Sequence, residues 1–221
     1  MFGVLFGFGF LMQTIFILCS YSSGSSAITG FLEKCGAHTC PPHYWTRDSQ
    51  TKVSYENIAL KEKLESLFPL DSSPMFQQKG DLQTFSSFFS KWYAMQKVIC
   101  KGIGKHIISI KHPLTVFVLE QILQTVDNPH FIILTRPLEE IENTRLRRNW
   151  TEVYGRKGAQ IIYEKISEHM DKIKNNSKTP VFEISYHDLC NNEKQRNNLV
   201  SFCDFTIDSE KLKTASQFLR K

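Results

Sequence analysis

The sequence predicts an α/β domain of three-layer, P-loop type, with a mainly parallel central sheet flanked by helices. Three observations predict it. Short apolar runs alternate with longer amphipathic stretches, the runs are almost continuously apolar, as in strands buried on both faces, and no repeat or composition break divides the chain. With 221 residues, 41% of them hydrophobic, a single domain over residues 14–221 can bury enough surface to fold without disulfides or metals.

The predicted elements follow from the spacing of the hydrophobic residues. Strand-like runs occupy residues 14–20, 106–110, 131–135 and 181–185. Helical periodicity covers residues 27–36, 55–67, 84–100, 114–126, 138–149, 152–174, 192–203 and 208–219. Clusters of Ser, Asn, Asp and Pro predict loops at residues 70–74 and 175–180.

The N-terminus allows two interpretations. Residues 2–19 form an apolar run, interrupted at Gln13, that is nearly long enough to span a membrane. No Lys or Arg precedes the run, so the basic region of a signal peptide is missing. Residues 14–20 suit a buried strand that opens into a turn. We therefore predict a strand preceded by a floppy or artefactual apolar leader over residues 1–13, in a cytoplasmic protein. The alternative is a membrane anchor, with membrane contact through residues 2–19.

Charge and cysteine content narrow the function classes. The net charge of +5 permits an anionic ligand but falls short of a dedicated nucleic-acid binder, so we expect no nucleic-acid partner. Six cysteines in a chain of this length do not form a dense disulfide framework, and several lie in apolar runs. They indicate reduced core residues of an intracellular protein.

The segment after the first strand predicts an anion site. The strand runs into a turn of small residues and then into a helix, so that main-chain N–H groups and the positive end of the helix dipole point at one place. The turn consists of Ser22, Ser23, Gly24, Ser25 and Ser26. An ordinary Ser-rich turn is the alternative, since the Gly-Lys-Ser/Thr ending of a Walker A motif is absent.

A second anion site is predicted at the end of the strand over residues 131–135. This strand delivers Arg136 to the carboxyl edge of the sheet, where open α/β sheets bind ligands. Thr144 lies two turns along the following helix, on a similar face. The planar guanidinium of an arginine suits bidentate binding of phosphate.

These motifs resemble those of the bacterial-type sulfotransferases, which use 3′-phosphoadenosine 5′-phosphosulfate (PAPS). The first motif stands here as residues 21–27, Tyr-Ser-Ser-Gly-Ser-Ser-Ala, with Gly-Ala-His at residues 36–38. The second is Arg136 with a hydroxyl residue eight positions later, and weaker similarities lie at residues 55–57, 110–113 and 184–189. The resemblance implies that residues 22–26 hold the 5′-phosphate and sulfuryl group, and that Arg136 and Thr144 hold the 3′-phosphate.

The resemblance also implies catalytic roles. Transfer to a hydroxyl or amine acceptor (carbohydrate, lipid or small alcohol) needs a general base, for which Glu56 is the first candidate and His112 the second. The alternatives are a surface carboxylate at a helix start for Glu56 and a hydrogen-bonded turn residue for His112. Ser22 stands where the family carries Lys or Arg, and Lys111 or Lys52 could supply the missing cation.

Two rival functions remain open. The departure at Ser22 suits a catalytically impaired relative that binds nucleotides or serves as a scaffold. A small zinc site is the minor alternative, because zinc ligands recur at Cys35, His38, Cys40 and His43. Structural zinc sites usually use two separated ligand pairs, so we predict no metal cofactor.

Overall fold

The computed structural model describes residues 12–69, 77–149, 155–176 and 178–219. Four strands form the central sheet: β1 (Gln13–Cys19), β4 (Ile107–Lys111), β5 (Pro129–Thr135) and β6 (Val181–Ser185). The labels follow chain order, and β2 (His43–Trp45) and β3 (Val53–Asn57) form a separate hairpin. They are arranged in the order β4-β1-β5-β6, and every neighbouring pair is parallel. The predicted strands and the predicted parallel sheet are confirmed, with boundaries that differ by at most two residues.

Strand β1 lies in the interior of the sheet, and its side chains enter two separate cores. Ile15, Ile17 and Cys19 point to one face of the sheet, and Phe16 and Leu18 point to the other. All of β1 is buried. This explains why residues 15–19 are apolar without interruption, instead of alternating as in a strand with one solvated face.

Helices cover both faces and complete the three layers. The face of Ile15 packs against α1 (Ser25–Cys35), α7 (Tyr186–Asn191), α8 (Glu193–Phe202) and α9 (Ser209–Phe218). The opposite face packs against α2 (Ile58–Leu67), α3 (Leu82–Gly102), a 3₁₀ helix (Pro113–Val118), α4 (Leu119–Leu123) and α6 (Gly155–Asn176). Helix α5 (Leu138–Arg147) follows β5. The two cores confirm the predicted α/β architecture.

The predicted helix over residues 55–67 is wrong in its first three residues. A short antiparallel hairpin of β2 (His43–Trp45) and β3 (Val53–Asn57) precedes it, and α2 begins only at Ile58. The boundary has a physical cause, because the Asn57 side chain accepts a hydrogen bond from the Leu60 N–H and caps the helix. Glu56 therefore lies on a strand of this hairpin, not in a helix.

The structure differs from the predicted elements in three other places. The stretch 114–126 divides into the 3₁₀ helix and α4, the short helix α7 was not predicted, and α6 extends into the loop predicted at residues 175–180. The loop predicted at residues 70–74 lies outside the described residues, as does the leader up to residue 11. The last seven residues of the apolar run at residues 2–19 are β1 itself, so Gln13, assigned to the leader from the sequence, belongs to the strand. Within the described ranges, no helix is long and apolar enough to cross a membrane.

The strand order creates a crevice at the carboxyl edge of the sheet. The chain leaves β1 towards β4 on one side, and it leaves β5 towards β6 on the other. Connections that diverge from neighbouring strands leave such a crevice, which is where open α/β sheets bind ligands. The loop after β1 lies in it, between the end of β4, which carries Lys111, and the end of β5, which precedes Arg136.

Candidate functional site

The turn between β1 and α1 presents unpaired main-chain donors. Gly24 is the N-cap of α1 at φ 92°, and no side chain caps the helix. The first turn contains no acidic residue, and the N–H groups of Gly24, Ser25 and Ser26 find no acceptor among the described residues. A helix N-terminus with free N–H groups carries a partial positive charge and can accept an anion.

The serine hydroxyls of the turn differ in availability. Ser23 Oγ donates to the carbonyl of Ser20 (2.7 Å), and Ser26 Oγ donates to the carbonyl of Ser54 (3.0 Å). Ser22 adopts the left-handed conformation at φ 61°, and its Oγ is buried without a partner in the described structure. A buried hydroxyl without a hydrogen bond is costly, so Ser22 offers a hydroxyl that a bound group could satisfy.

Arg136 crosses from the end of β5 to this turn. Its Nη1 donates to the Ser22 carbonyl (3.0 Å) and to Thr144 Oγ1 (3.2 Å), and its Nε donates to Glu140 (2.9 Å). Its Nη2 has no acceptor within the described chain. The Thr144 hydroxyl donates to the Glu140 carbonyl (2.9 Å). The two predicted anion sites are therefore adjacent, joined by one hydrogen bond between Arg136 and the turn.

Tyr186 packs between these two parts of the site, a role that the sequence did not indicate. The Arg136 guanidinium lies 4.7 Å from the centre of the Tyr186 ring. A Cβ atom at position 24 would lie 2.2 Å from Cδ2 of the same ring. Gly24 is thus needed for its positive φ and for the close approach of Tyr186, a requirement additional to the predicted approach of an anion. No local pattern around Tyr186 could have shown this contact.

Lys111 lies on the other side of the turn, in a buried ion pair. Its Nζ donates to Glu56 Oε1 (2.6 Å) and to the Ser54 carbonyl (3.0 Å), and the Lys111 and Glu56 side chains are 4% and 11% exposed. Ser26 Oγ donates to the same carbonyl over the same 3.0 Å, so Lys111 Nζ cannot lie further from Ser26 Oγ than twice that length. The structure thus brings a cation close to the turn whose Ser22 lacks one. Lys52 is exposed on the loop between β2 and β3.

The ion pair sets the protonation state of Glu56. Burial is the largest influence and would raise the pKa of this carboxyl. The Lys111 ammonium, its hydrogen bond and weaker charges nearby together outweigh burial, so the pKa lies below its ordinary value. Glu56 is therefore a carboxylate at neutral pH. It can accept a proton, although a depressed pKa makes it a weak base.

His112 has a different environment. Its side chain is buried, and Nδ1 accepts a hydrogen bond from the Leu114 N–H (3.2 Å) at the start of the 3₁₀ helix. Burial lowers the pKa of His112 to about 4, so the ring is neutral at neutral pH. Since Nδ1 is an acceptor, the proton lies on Nε2, which is 4.0 Å from Glu65 Oε1. This geometry favours the turn role for His112 and leaves Glu56 as the stronger candidate base.

The four zinc-ligand candidates do not converge. Cys35 and Cys40 belong to the cores on opposite faces of the sheet. His38 Nε2 bonds to Gln96 Oε1 (2.9 Å), and His43 Nε2 bonds to the Thr39 carbonyl (2.8 Å). Among the described residues no group of three or more His, Cys, Asp or Glu side chains could hold a metal ion. The zinc alternative is not supported.

Comparison with known proteins connects this arrangement to one fold. No protein-family model matches the sequence, and no curated protein matches it either. Among solved structures, the sulfotransferase domain of the Synechococcus PCC 7002 olefin synthase matches at a TM-score of 0.60 and 17% identity, covering 93% of this chain and 77% of that one. The sulfotransferase domain from the curacin biosynthetic pathway matches at 0.55 and 18%, covering 91% and 77%. A sulfotransferase from Mycobacterium tuberculosis matches at 0.53 and 12%, covering 94% and 71%. At these identities the likeness establishes the fold, and the chain has the fold of sulfotransferase domains.

Proposed function

We propose that this protein is a sulfotransferase that moves the sulfuryl group of PAPS to a hydroxyl or amine acceptor. The observation that carries the proposal is the position of the β1–α1 turn between two cations. Arg136 reaches the turn from β5, and Lys111 approaches it from β4. This arrangement suits a ligand that carries negative charge at two separated points.

The residues of the crevice fit such a donor. The N–H groups of Gly24, Ser25 and Ser26 and the Ser22 hydroxyl would hold the 5′-phosphosulfate end, since none of them has a partner among the described residues. Arg136, whose Nη2 has no acceptor within the described chain, and the Thr144 hydroxyl would hold the 3′-phosphate. PAPS, when bound, supplies the sulfuryl group and a phosphate leaving group.

Lys111 and Glu56 would then assist transfer. The Lys111 ammonium lies close enough to the turn to stabilise negative charge that develops on the leaving phosphate, the role for which Ser22 lacks a charge. As Lys111 shifts towards that charge, its ion pair with Glu56 weakens. The pKa of the Glu56 carboxyl then rises, which makes the carboxylate a more effective base. Glu56 would accept the proton of the acceptor hydroxyl.

A non-catalytic nucleotide-binding or scaffolding protein is the second candidate. It is favoured by Ser22 and by the closed ion pair, which already satisfies Lys111 with two acceptors. The two functions differ in turnover, not in binding, since both retain Arg136 and the turn. The acceptor class (carbohydrate, lipid or small alcohol) is part of the first candidate only.

Calorimetry and a transfer assay test the proposal together. We expect 3′-phosphoadenosine 5′-phosphate to bind the wild type, and Arg136→Ala to weaken binding by about ten- to a hundredfold, as for a lost charged hydrogen bond. Arg47→Ala, which removes an exposed arginine, is the matched control and should bind as the wild type does. Equal binding by wild type and Arg136→Ala would refute the donor site. Labelled PAPS with carbohydrate, lipid and small-alcohol acceptors then separates the enzyme from the non-catalytic candidate.

A further inference from the structure

The loop between β2 and β3 is fastened to the end of α5 by an ion-pair cluster. Asp48 Oδ1 and Oδ2 accept from Arg147 Nη1 (2.9 Å) and Nη2 (3.1 Å), and Oδ2 also accepts from Arg148 Nε (2.7 Å). Arg148 Nη2 donates in addition to Thr51 Oγ1 (3.0 Å). These four bonds join segments about a hundred residues apart in the chain, and we call them the Asp48 clasp.

The clasp is better built than an ordinary surface ion pair. The Asp48 side chain is only 7% exposed, and the fork of Arg147 meets it bidentately. Asp48 also orders its own loop, because Oδ1 accepts from the Gln50 N–H (3.0 Å). The hydrogen bonds from Arg147 hold the pKa of Asp48 well below its ordinary value, so the carboxylate stays charged throughout the neutral range.

Each side of the clasp leads to one half of the candidate site. On α5, Arg147 and Arg148 follow Thr144 by three and four residues and so share its face of the helix, at the side proposed for the donor. On the hairpin, β3 begins five residues after Asp48 and carries Glu56. The Asp48 carboxylate therefore connects the helix that carries Thr144 to the hairpin that carries Glu56.

We propose that Asp48 is a positioning residue, which clasps the β2–β3 hairpin to α5 and so keeps Glu56 in register with the donor site. The inference rests on the proposed function in assigning a base to the hairpin. The clasp itself depends only on the described contacts. Its loss should loosen the hairpin locally while the two cores stay intact.

Limited proteolysis and hydrogen exchange of the full chain test the clasp without any transfer activity. Lys52, exposed in the clasped loop, is a trypsin site. We expect Asp48→Asn to raise the rate of cleavage there, and amide exchange over residues 43–57, by about tenfold or more through local opening. Arg147→Gln, which removes the bidentate pair, should reproduce most of the effect. The double variant Asp48→Asn with Arg147→Gln should be less than additive, since both substitutions remove that pair. Glu183→Gln, which breaks the exposed Glu183–Lys174 pair, is the control and should match the wild type.

The kinetic constants of Asp48→Asn test whether Asp48 positions Glu56 for transfer. With a transferable acceptor, Asp48→Asn should lower kcat about tenfold and leave the KM for PAPS within about twofold, because Arg136 and Thr144 remain in place. Wild-type cleavage and exchange in Asp48→Asn would overturn the clasp. Loose cleavage with an unchanged kcat would overturn its positioning role. Absence of PAPS binding and transfer in the wild type would instead refute the proposed function, and the proteolysis result would still stand.

Discussion

Removing Lys111 tests whether the buried ion pair has the electrostatics that its geometry indicates. In Lys111→Met the carboxylate of Glu56, whose side chain is 11% exposed in the wild type, loses its charged partner. Breaking a buried pair by deleting one partner costs about 3–5 kcal/mol, and the slight exposure of Glu56 favours the lower end. For a chain of this size that corresponds to a fall in Tm of roughly ten degrees.

The pH dependence of this loss has a definite sign. In the wild type the pKa of Glu56 lies below its unfolded value, so its stabilisation is complete above the unfolded pKa and disappears only as pH falls through the folded one. In Lys111→Met burial is no longer opposed by Lys111, and the pKa should rise above the unfolded value. Protonation then relieves the buried charge, so the destabilisation by Lys111→Met should be smaller at pH 5 than at pH 7.

Urea denaturation at pH 5, 6 and 7 measures this difference for wild type and variant. The matched control is the double variant Lys111→Met with Glu56→Gln, which removes both charges and should recover most of the lost stability. A destabilisation by Lys111→Met that is independent of pH would refute the reasoning. So would a double variant as unstable as Lys111→Met alone.

Three further predictions follow from neighbouring contacts. Because Lys111 supplies positive charge beside the turn, Lys111→Met should abolish sulfuryl transfer in the labelled-PAPS assay, and Ser22→Arg should change the wild-type rate little. A clearly faster Ser22→Arg would contradict that role for Lys111. Gly24→Ala should destabilise the fold by about 2–4 kcal/mol in a urea titration, since it combines a strained φ with a collision against Tyr186. The double variant with Tyr186→Ala should recover the share of the lost stability that is due to the collision. A fully stable Gly24→Ala would contradict the packing. The ring of His112 should stay neutral between pH 5 and pH 8, because burial depresses its pKa to about 4. Its contribution to the free energy of unfolding should therefore be complete at neutral pH and be lost only as the pH falls into the acid range. An NMR titration that places its pKa near 6.5 would contradict this.

The strands could be predicted because one physical requirement determines them. A strand segment buried on both faces must be apolar without interruption, and residues 15–19 of β1 and 131–134 of β5 satisfy this. The edge strand β6 is less buried and contains Glu183. The hairpin could not be predicted in this way. Its strands are short, Trp45 is exposed, and Glu56 continues the spacing of Leu60 and Leu64 in the following helix. Only the cap at Asn57 separates strand from helix.

Some residues of the candidate site could likewise be predicted from the sequence, and others could not. Arg136 and Thr144 were predicted from the chain because Arg136 directly follows β5 and Thr144 lies on the helix that comes next. Ser54 and Tyr186 were missed as parts of the site. Ser54 contributes a main-chain carbonyl, whose use no side chain encodes, and Tyr186 contacts Gly24 from a different strand end. Lys111 was a candidate, but its partner Glu56 lies 55 residues away in the chain.

The sequence by itself determined that several strands would run parallel, and that the turn at residues 22–26 and Arg136 would each follow a strand at the carboxyl edge. That conclusion needs only the direction of the strands, which hydrophobic pattern and alternation with helices imply. The tertiary structure alone decided the strand order β4-β1-β5-β6, which places Lys111 and Arg136 on opposite sides of the turn. The reason is that strand order and ion pairing are settled by the packing of both cores together, between residues that share no local period.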